Sequence, residues 1–180
     1  MVSPGGPEVE ICMKKLLIWI AILTLVTLAV AGAETFYPNQ VANCNEYVTL
    51  RASASSSADA LTTVPLGNVV MAAPYNSEFS YCCYNGQFGY IKSYYLSTQI
   101  HTYSEGTFCV GNCGDWVPLK DMPLQDANVR GQIPLGARFD AVYYADGSYD
   151  PNAYAFVRYN GQYGWVQWKY VEYIAFEGAQ

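Results

Sequence analysis

Tyr84-Asn-Gly-Gln-Phe-Gly-Tyr-Ile91 and Tyr159-Asn-Gly-Gln-Tyr-Gly-Trp-Val166 are two versions of one block, 75 positions apart. Asn-Gly between apolar β-formers favours the primed turns that close a two-residue hairpin. The block therefore predicts a strand pair on each occasion, over 78–84 and 88–93 and again over 153–159 and 163–168. Working outward, Val41-Ala-Asn-Cys-Asn-Glu-Tyr-Val-Thr-Leu-Arg51 matches Val110-Gly-Asn-Cys-Gly-Asp-Trp-Val-Pro-Leu-Lys120 at an offset of 69. Val64-Pro-Leu-Gly67 matches Ile133-Pro-Leu-Gly136 at the same offset, and Tyr95 matches Tyr170 at 75. Blocks in one order with two constant offsets establish an internal duplication. The growth of the offset by six places an insertion between Gly136 and Tyr159, most naturally at the turn-forming Asp146-Gly-Ser-Tyr-Asp-Pro151.

Each copy reads as short strands between turns. Tyr47-Val-Thr-Leu50 and Trp116-Val-Pro-Leu119 are strand-like, and Pro-Leu-Gly marks a turn before a further strand at 68–73 or 137–144. Ala52 to Ala60, rich in Ser and Ala, carries no apolar periodicity and is expected to be a loop that the second copy lacks. No helical apolar stripe occurs after residue 33. The expected fold is all-β, two small tandem barrels that are closed or partly closed.

The start of the chain reads differently. Lys14-Lys15, the uncharged run Leu16 to Val30 and Ala31-Gly-Ala33 follow the order of a secretory signal peptide, helical and cleaved before Glu34. With Ala31-Gly-Ala33 the apolar run reaches about 18 residues, the lower limit for an uncleaved membrane anchor. Residues 1–12 fit a signal poorly, so translation is expected to start at Met13. The remaining 147 residues hold seven Lys/Arg and thirteen Asp/Glu, a net charge of −6. That balance argues against nucleic acid and against anionic membrane surfaces, which need clustered cations.

The blocks resemble bacterial SH3-like (SH3b) domains. The resemblance rests on Val48-Thr-Leu-Arg51, the Ser-rich loop, Val64-Pro-Leu-Gly67, Tyr84 to Ile91 and Tyr95-Leu96, with Val117 to Lys120, Ile133 to Gly136, Tyr159 to Val166 and Tyr170-Val171 in the second copy. It places domains at 44–97 and 113–175 with a linker at 98–112. It implies five- to seven-stranded barrels in an exported protein that binds cell-wall peptidoglycan or a protein partner.

Five cysteines follow the signal, and an exported chain meets an oxidising environment. Cys82 and Val157 occupy equivalent positions, and a site that accepts either is expected to face inward. A Cys44–Cys82 disulfide is expected within the first copy, which leaves Cys113 to Cys109 or Cys83. Metal binding at Cys109-x-x-x-Cys113 lacks further ligands nearby, and Asp140, Asp146 and Asp150 lack the spacing of a calcium loop, so no metal or cofactor is expected. His101, the only histidine, falls in the linker, and its spacing supports no Cys–His pair.

Recognition is expected from aromatics. Period two along the strands sends Phe79, Tyr81, Tyr154 and Phe156 to the face opposite Cys82 and Val157. These rings either meet a sugar or peptide, or pack at the contact between the copies. The leading expectation is a secreted, non-enzymatic tandem that binds peptidoglycan or another cell-surface ligand, with avidity from two linked sites. Its rivals are an extracellular protein–protein adaptor without wall affinity and a small cysteine-dependent enzyme.

Overall fold

Both Asn-Gly turns take the left-handed backbone that their residue types predict. Asn85 and Gly86 have φ of 46° and 81°, and Asn160 and Gly161 have 48° and 79°. A primed turn of this kind matches the right-handed twist of the strands that it joins. In the computed structural model, which describes residues 34–101, 107–142 and 152–174, these turns sit at the centre of two equivalent sheets. The first contains β1 (Tyr37–Val41), β2 (Tyr47–Arg51), β3 (Ala60–Pro65), β4 (Val69–Pro74), β5 (Phe79–Tyr84), β6 (Gln87–Lys92) and β7 (Leu96–Ser97). The second contains β8 (Thr107–Val110), β9 (Trp116–Lys120), β10 (Val129–Pro134), β11 (Arg138–Val142), β12 (Tyr154–Tyr159), β13 (Gln162–Gln167) and β14 (Val171–Ile174).

The strand orders are β3-β2-β6-β5-β4-β1-β7 and β10-β9-β13-β12-β11-β8-β14, so the duplicated sequence yields duplicated topology. All the strand pairs are antiparallel. Each ladder has two ends, so strand pairing does not close it into a ring. β1 and β8 lie outside the domains expected at 44–97 and 113–175, and β8 falls in the span expected as linker. Both are bound into their sheets through β4 and β7, or β11 and β14, by pairings remote in sequence. The signal segment and the Asp146–Pro151 insertion lie outside the described residues. Among those residues, no helix is long and apolar enough to cross a membrane.

Alternation on β2 and β9 buries Val48 and Leu50, and Val117 and Leu119, in two separate apolar cores. Cys82 and Val157 point into these cores and are fully buried, as their equivalence predicts. The last glycine of each block is required by close approach. A Cβ on Gly89 would lie 2.7 Å from the Arg51 carbonyl oxygen, and one on Gly164 would lie 2.7 Å from that of Lys120. A basic residue then ends β2 and β9. Arg51 Nη1 donates to the Ala58 carbonyl at 2.7 Å, while Lys120 Nζ donates to the Leu124 carbonyl at 3.1 Å and to that of Gln125. In both copies this cation straps a loop closed by the same backbone bond, Ala52 N–H to Asp59 O and Asp121 N–H to Asn128 O, each 3.0 Å. The second copy thus keeps the loop and changes its chemistry, from Ser53-Ala-Ser55 to Met122-Pro-Leu124.

Candidate functional site

The second copy's outward aromatics do not form an open face. Phe156 is 4% exposed and belongs to a third apolar cluster with Trp165 and with Val69, Met71 and Cys83 of the first copy. Met122, Leu124 and Tyr154 pack around it. The first copy's Asn-Gly turn seals the junction: the Tyr154 backbone N–H donates to Asn85 Oδ1 at 3.3 Å, and a methyl on Gly86 would touch Leu124 at 3.8 Å. Both copies lie in one compact unit, Phe36–Gln180. Tyr154 and Phe156 therefore stand at the contact between copies, the alternative role open to them in the sequence. One of the two equivalent aromatic faces is thus covered by this contact.

The first copy differs. Tyr81 is partly exposed within a ring cluster, stacked on Phe88 at 5.7 Å and tilted against Tyr90 at 5.1 Å. Phe79 is 2% exposed, so it is no free stacking ring; it forms part of the floor of a groove of about 530 Å³. Tyr47, Thr49, Arg51, Ser56, Lys92 and Tyr95 also line this groove, with the turn Asn43–Asn45 along one edge. Asn43 adopts φ of 54°, and its Nδ2 donates to the Tyr94 carbonyl at 3.0 Å, which fixes that edge against the short 3-10 turn Ser93–Tyr95. Asn112 repeats both features, with φ of 51° and a 3.4 Å bond to the Lys169 carbonyl.

Two cations of an acidic chain line this groove. Arg51 reaches the groove from the end of β2. Lys92 Nζ lies 5.9 Å above the Phe79 ring and 3.1 Å from Glu78 Oε1. The pairing of rings with cations suits a ligand that is flat or apolar in one part and carries a carboxylate in another. Tyr47, Arg51, Lys92 and Tyr95 were not singled out as site residues from sequence. A usable signal was present, since Tyr47 and Tyr95 are matched by Trp116 and Tyr170 in the second copy.

The five cysteines stand as free thiols. The expected Cys44–Cys82 bond is not made, although both residues pack on the first core, and Cys82 Sγ donates instead to the Ser80 carbonyl at 3.5 Å. Cys109 and Cys113 are also unbonded. Phe108 and Val110 face the second core, so alternation turns Cys109 outward, while Cys113 packs on that core. Burial pushes the Cys82 thiol up to about 12 and the Cys83 thiol up to about 11, and it raises Cys44 as well. A thiol raised in this way is a poor nucleophile, because the thiolate is the reactive form. His101 is held by its backbone: its N–H donates to Gln40 Oε1 at 2.9 Å, and its carbonyl accepts from Gln40 Nε2 at 3.2 Å. Asp140 lies in the outer cleft beside Arg138 and Arg158. Asp146 and Asp150 fall outside the described residues, among which no group of three metal-ligating side chains occurs.

No protein-family model and no curated protein matches the chain. Among solved structures, it is similar to NlpC1 from Trichomonas vaginalis, with 12% identity over 84% of this chain and 51% of that one, at a TM-score of 0.38. It is also similar to NlpC2 from Trichomonas vaginalis, with 11% identity over 82% of this chain and 52% of that one, at a TM-score of 0.37. The chain thus spans about half the length of these proteins.

Proposed function

We propose that the chain is an exported, non-enzymatic binding protein built from two SH3-like modules, and that its first module takes a carboxylate-bearing segment of cell-wall peptidoglycan. The observation that carries this reading is the groove that sets Tyr47 and Tyr95 beside Arg51 and Lys92. A peptide-substituted glycan offers both halves of that chemistry, apolar faces for the rings and carboxylates for the cations. The buried, protonated thiols Cys82 and Cys83 favour binding over cysteine-dependent catalysis.

The test is co-sedimentation of the protein with purified peptidoglycan. The wild type is expected in the pellet, and a Tyr47→Ser/Lys92→Glu variant in the supernatant. Tyr47 is 54% exposed, so the fold tolerates its loss, and an unchanged melting temperature verifies this. A wild type that stays in solution overturns the wall reading. A variant that pellets as well as the wild type moves the site away from this groove.

A further inference from the structure

Among the described residues, each half of the contact between the two copies has an equivalent that takes no part in that contact. Within the chain, a platform on the second copy covers a strip on the first. The platform is Phe156, stacked on Tyr163 at 5.5 Å and 6° and tilted against Trp165 at 4.9 Å. The strip is Val69, Met71 and Cys83 on β4 and β5. The first copy carries the same three-ring device at the equivalent positions, with Tyr81 stacked on Phe88 and tilted against Tyr90. Tyr75 extends it from 4.8 Å beside Tyr90. Phe36 covers part of this platform, 5.9 Å from Tyr81 and 6.0 Å from Phe88, and the rest is open, with Phe88 38% and Tyr75 54% exposed.

On the second copy, the positions equivalent to Val69, Met71 and Cys83 hold Arg138, Asp140 and Arg158. Register confirms the match: Met71 pairs with Cys83 across β4 and β5, and Asp140 pairs with Arg158 across β11 and β12. All three residues are exposed and line a cleft of about 230 Å³.

We propose that chains associate head to tail, the first-copy platform of one chain receiving the Arg138/Arg158 strip of another. The contact repeats between chains the relation that joins the copies within a chain. Its chemistry changes from aliphatic burial to guanidinium on aromatic faces, for which planar, weakly hydrated arginine is the preferred cation. The association is weaker than the contact inside the chain, for two reasons. The loop that grips the neighbouring Asn-Gly turn is apolar in the second copy, Met122-Pro-Leu124, but Ser53-Ala-Ser55 in the first. The Phe79 N–H, equivalent to the Tyr154 N–H that bonds to Asn85, is already taken by Asn76 Oδ1 at 2.7 Å. A heterologous contact of this kind adds chains in a row without closing a dimer, so size grows with concentration.

Sedimentation velocity on the intact protein over a wide concentration range tests this. The wild type is expected to show a rising weight-average mass. Arg138→Glu/Arg158→Glu removes the strip and Tyr75→Ser/Phe88→Ser removes the platform, and each is expected to stay monomeric. An equimolar mixture of the two variants retains one sound strip and one sound platform, and is expected to stop at a 1:1 dimer. Arg138→Lys/Arg158→Lys is expected to weaken association at least about tenfold, because the stacking plane is lost while the charge remains. A wild type that is monomeric throughout, or a strip variant that still grows, overturns the proposal. So does a mixture that forms no dimer. Both pairs of residues lie outside the groove that binds peptidoglycan in the reading above, so failure here leaves that reading untouched.

Discussion

Replacing Phe156 by Ala separates a ring that joins the copies from a ring that meets a ligand. Phe156 is 4% exposed and is covered by Trp165 and Tyr163 on its own side and by Val69, Met71 and Cys83 on the other. Truncating a buried Phe costs about 3–5 kcal/mol, through lost transfer energy and through the cavity left behind. Coverage on both sides leaves little room for collapse, which places the expected loss in the upper part of that range. For a cooperative unit of this size, each kcal/mol moves the midpoint by about 2–4 °C, so a fall of about 10 °C or more is expected. The same cavity opens a path to Cys83, which has no exposed surface in the intact protein. Thermal unfolding followed by calorimetry gives the first quantity. Native-state alkylation read by mass spectrometry gives the second, with Cys83 expected to react in the variant and to stay protected in the wild type. Tyr81→Ala, at the half-open equivalent position, is the matched control and is expected to lose less. A Phe156→Ala protein with an unchanged midpoint, a protected Cys83 and lost peptidoglycan sedimentation would refute the reasoning, because Phe156 would then be a ligand contact.

Two further predictions test the local reading of the repeated block. Gly164→Ala places a methyl 2.7 Å from both the Leu119 side chain and the Lys120 carbonyl, and is expected to cost about 3 kcal/mol in urea unfolding. Gly161→Ala meets no atom within 4 Å, so it pays only for a φ of 79°, about 1–2 kcal/mol. Equal costs for the two would mean that the close approach at Gly164 is not what selects glycine there. Burial pushes the Cys82 thiol from the ordinary 9.0 up to about 12, so above pH 9 the unfolded chain releases a proton that the folded chain keeps. Its contribution is therefore complete below pH 9 and falls away as pH rises towards 12. Cys82→Val, the residue found at 157, is expected to fold with less than about 1.5 kcal/mol change at neutral pH and to lose stability less steeply above pH 9. Parallel alkaline unfolding curves for the two proteins would remove Cys82 from that loss.

What was legible in the sequence is what is local or repeated. The Asn-Gly turns announce their left-handed backbone, and the exchange of Cys82 for Val157 announces an inward position. What was illegible depends on contacts remote along the chain. β1 and β8 share only Val41 and Val110 at matching positions; both pair with one strand about 30 residues ahead and with a second about 55 residues ahead for β1 and more than 60 for β8. No short window records such pairings. The destination of Phe156 was equally hidden, because alternation tells which face a ring takes but not what covers that face. Phe79 shows the same limit. Alternation puts it on the outer face, yet the groove edge buries it almost completely.

The differences between the copies follow from their neighbours. A module with an aromatic platform on one side and an apolar strip on the other would, if duplicated unchanged, leave one of each exposed and invite uncontrolled growth. The substitutions act at those places. Val69, Met71 and Cys83, buried between the copies, become Arg138, Asp140 and Arg158 where the same strip faces solvent. Ser53-Ala-Ser55 in the first copy is matched by Met122-Pro-Leu124 in the second, where the loop closes over the first copy's Asn85-Gly86 turn. The first platform has Tyr90 in place of Trp165 and Tyr81 in place of Phe156, rings with a hydroxyl that tolerates water, while Phe88 stands in place of Tyr163. The changes in the strip and the loop lower the cost of exposure away from the junction or raise the gain from burial within it. The junction thus accounts for the divergence of the strip and the loop. The groove beside Tyr47 and Tyr95 lies outside the strip, the loop and the platform, and its aromatic positions are kept as Trp116 and Tyr170. Tyr95 and Tyr170 each pack against the core of their own copy, and that packing holds those two positions whatever the neighbour.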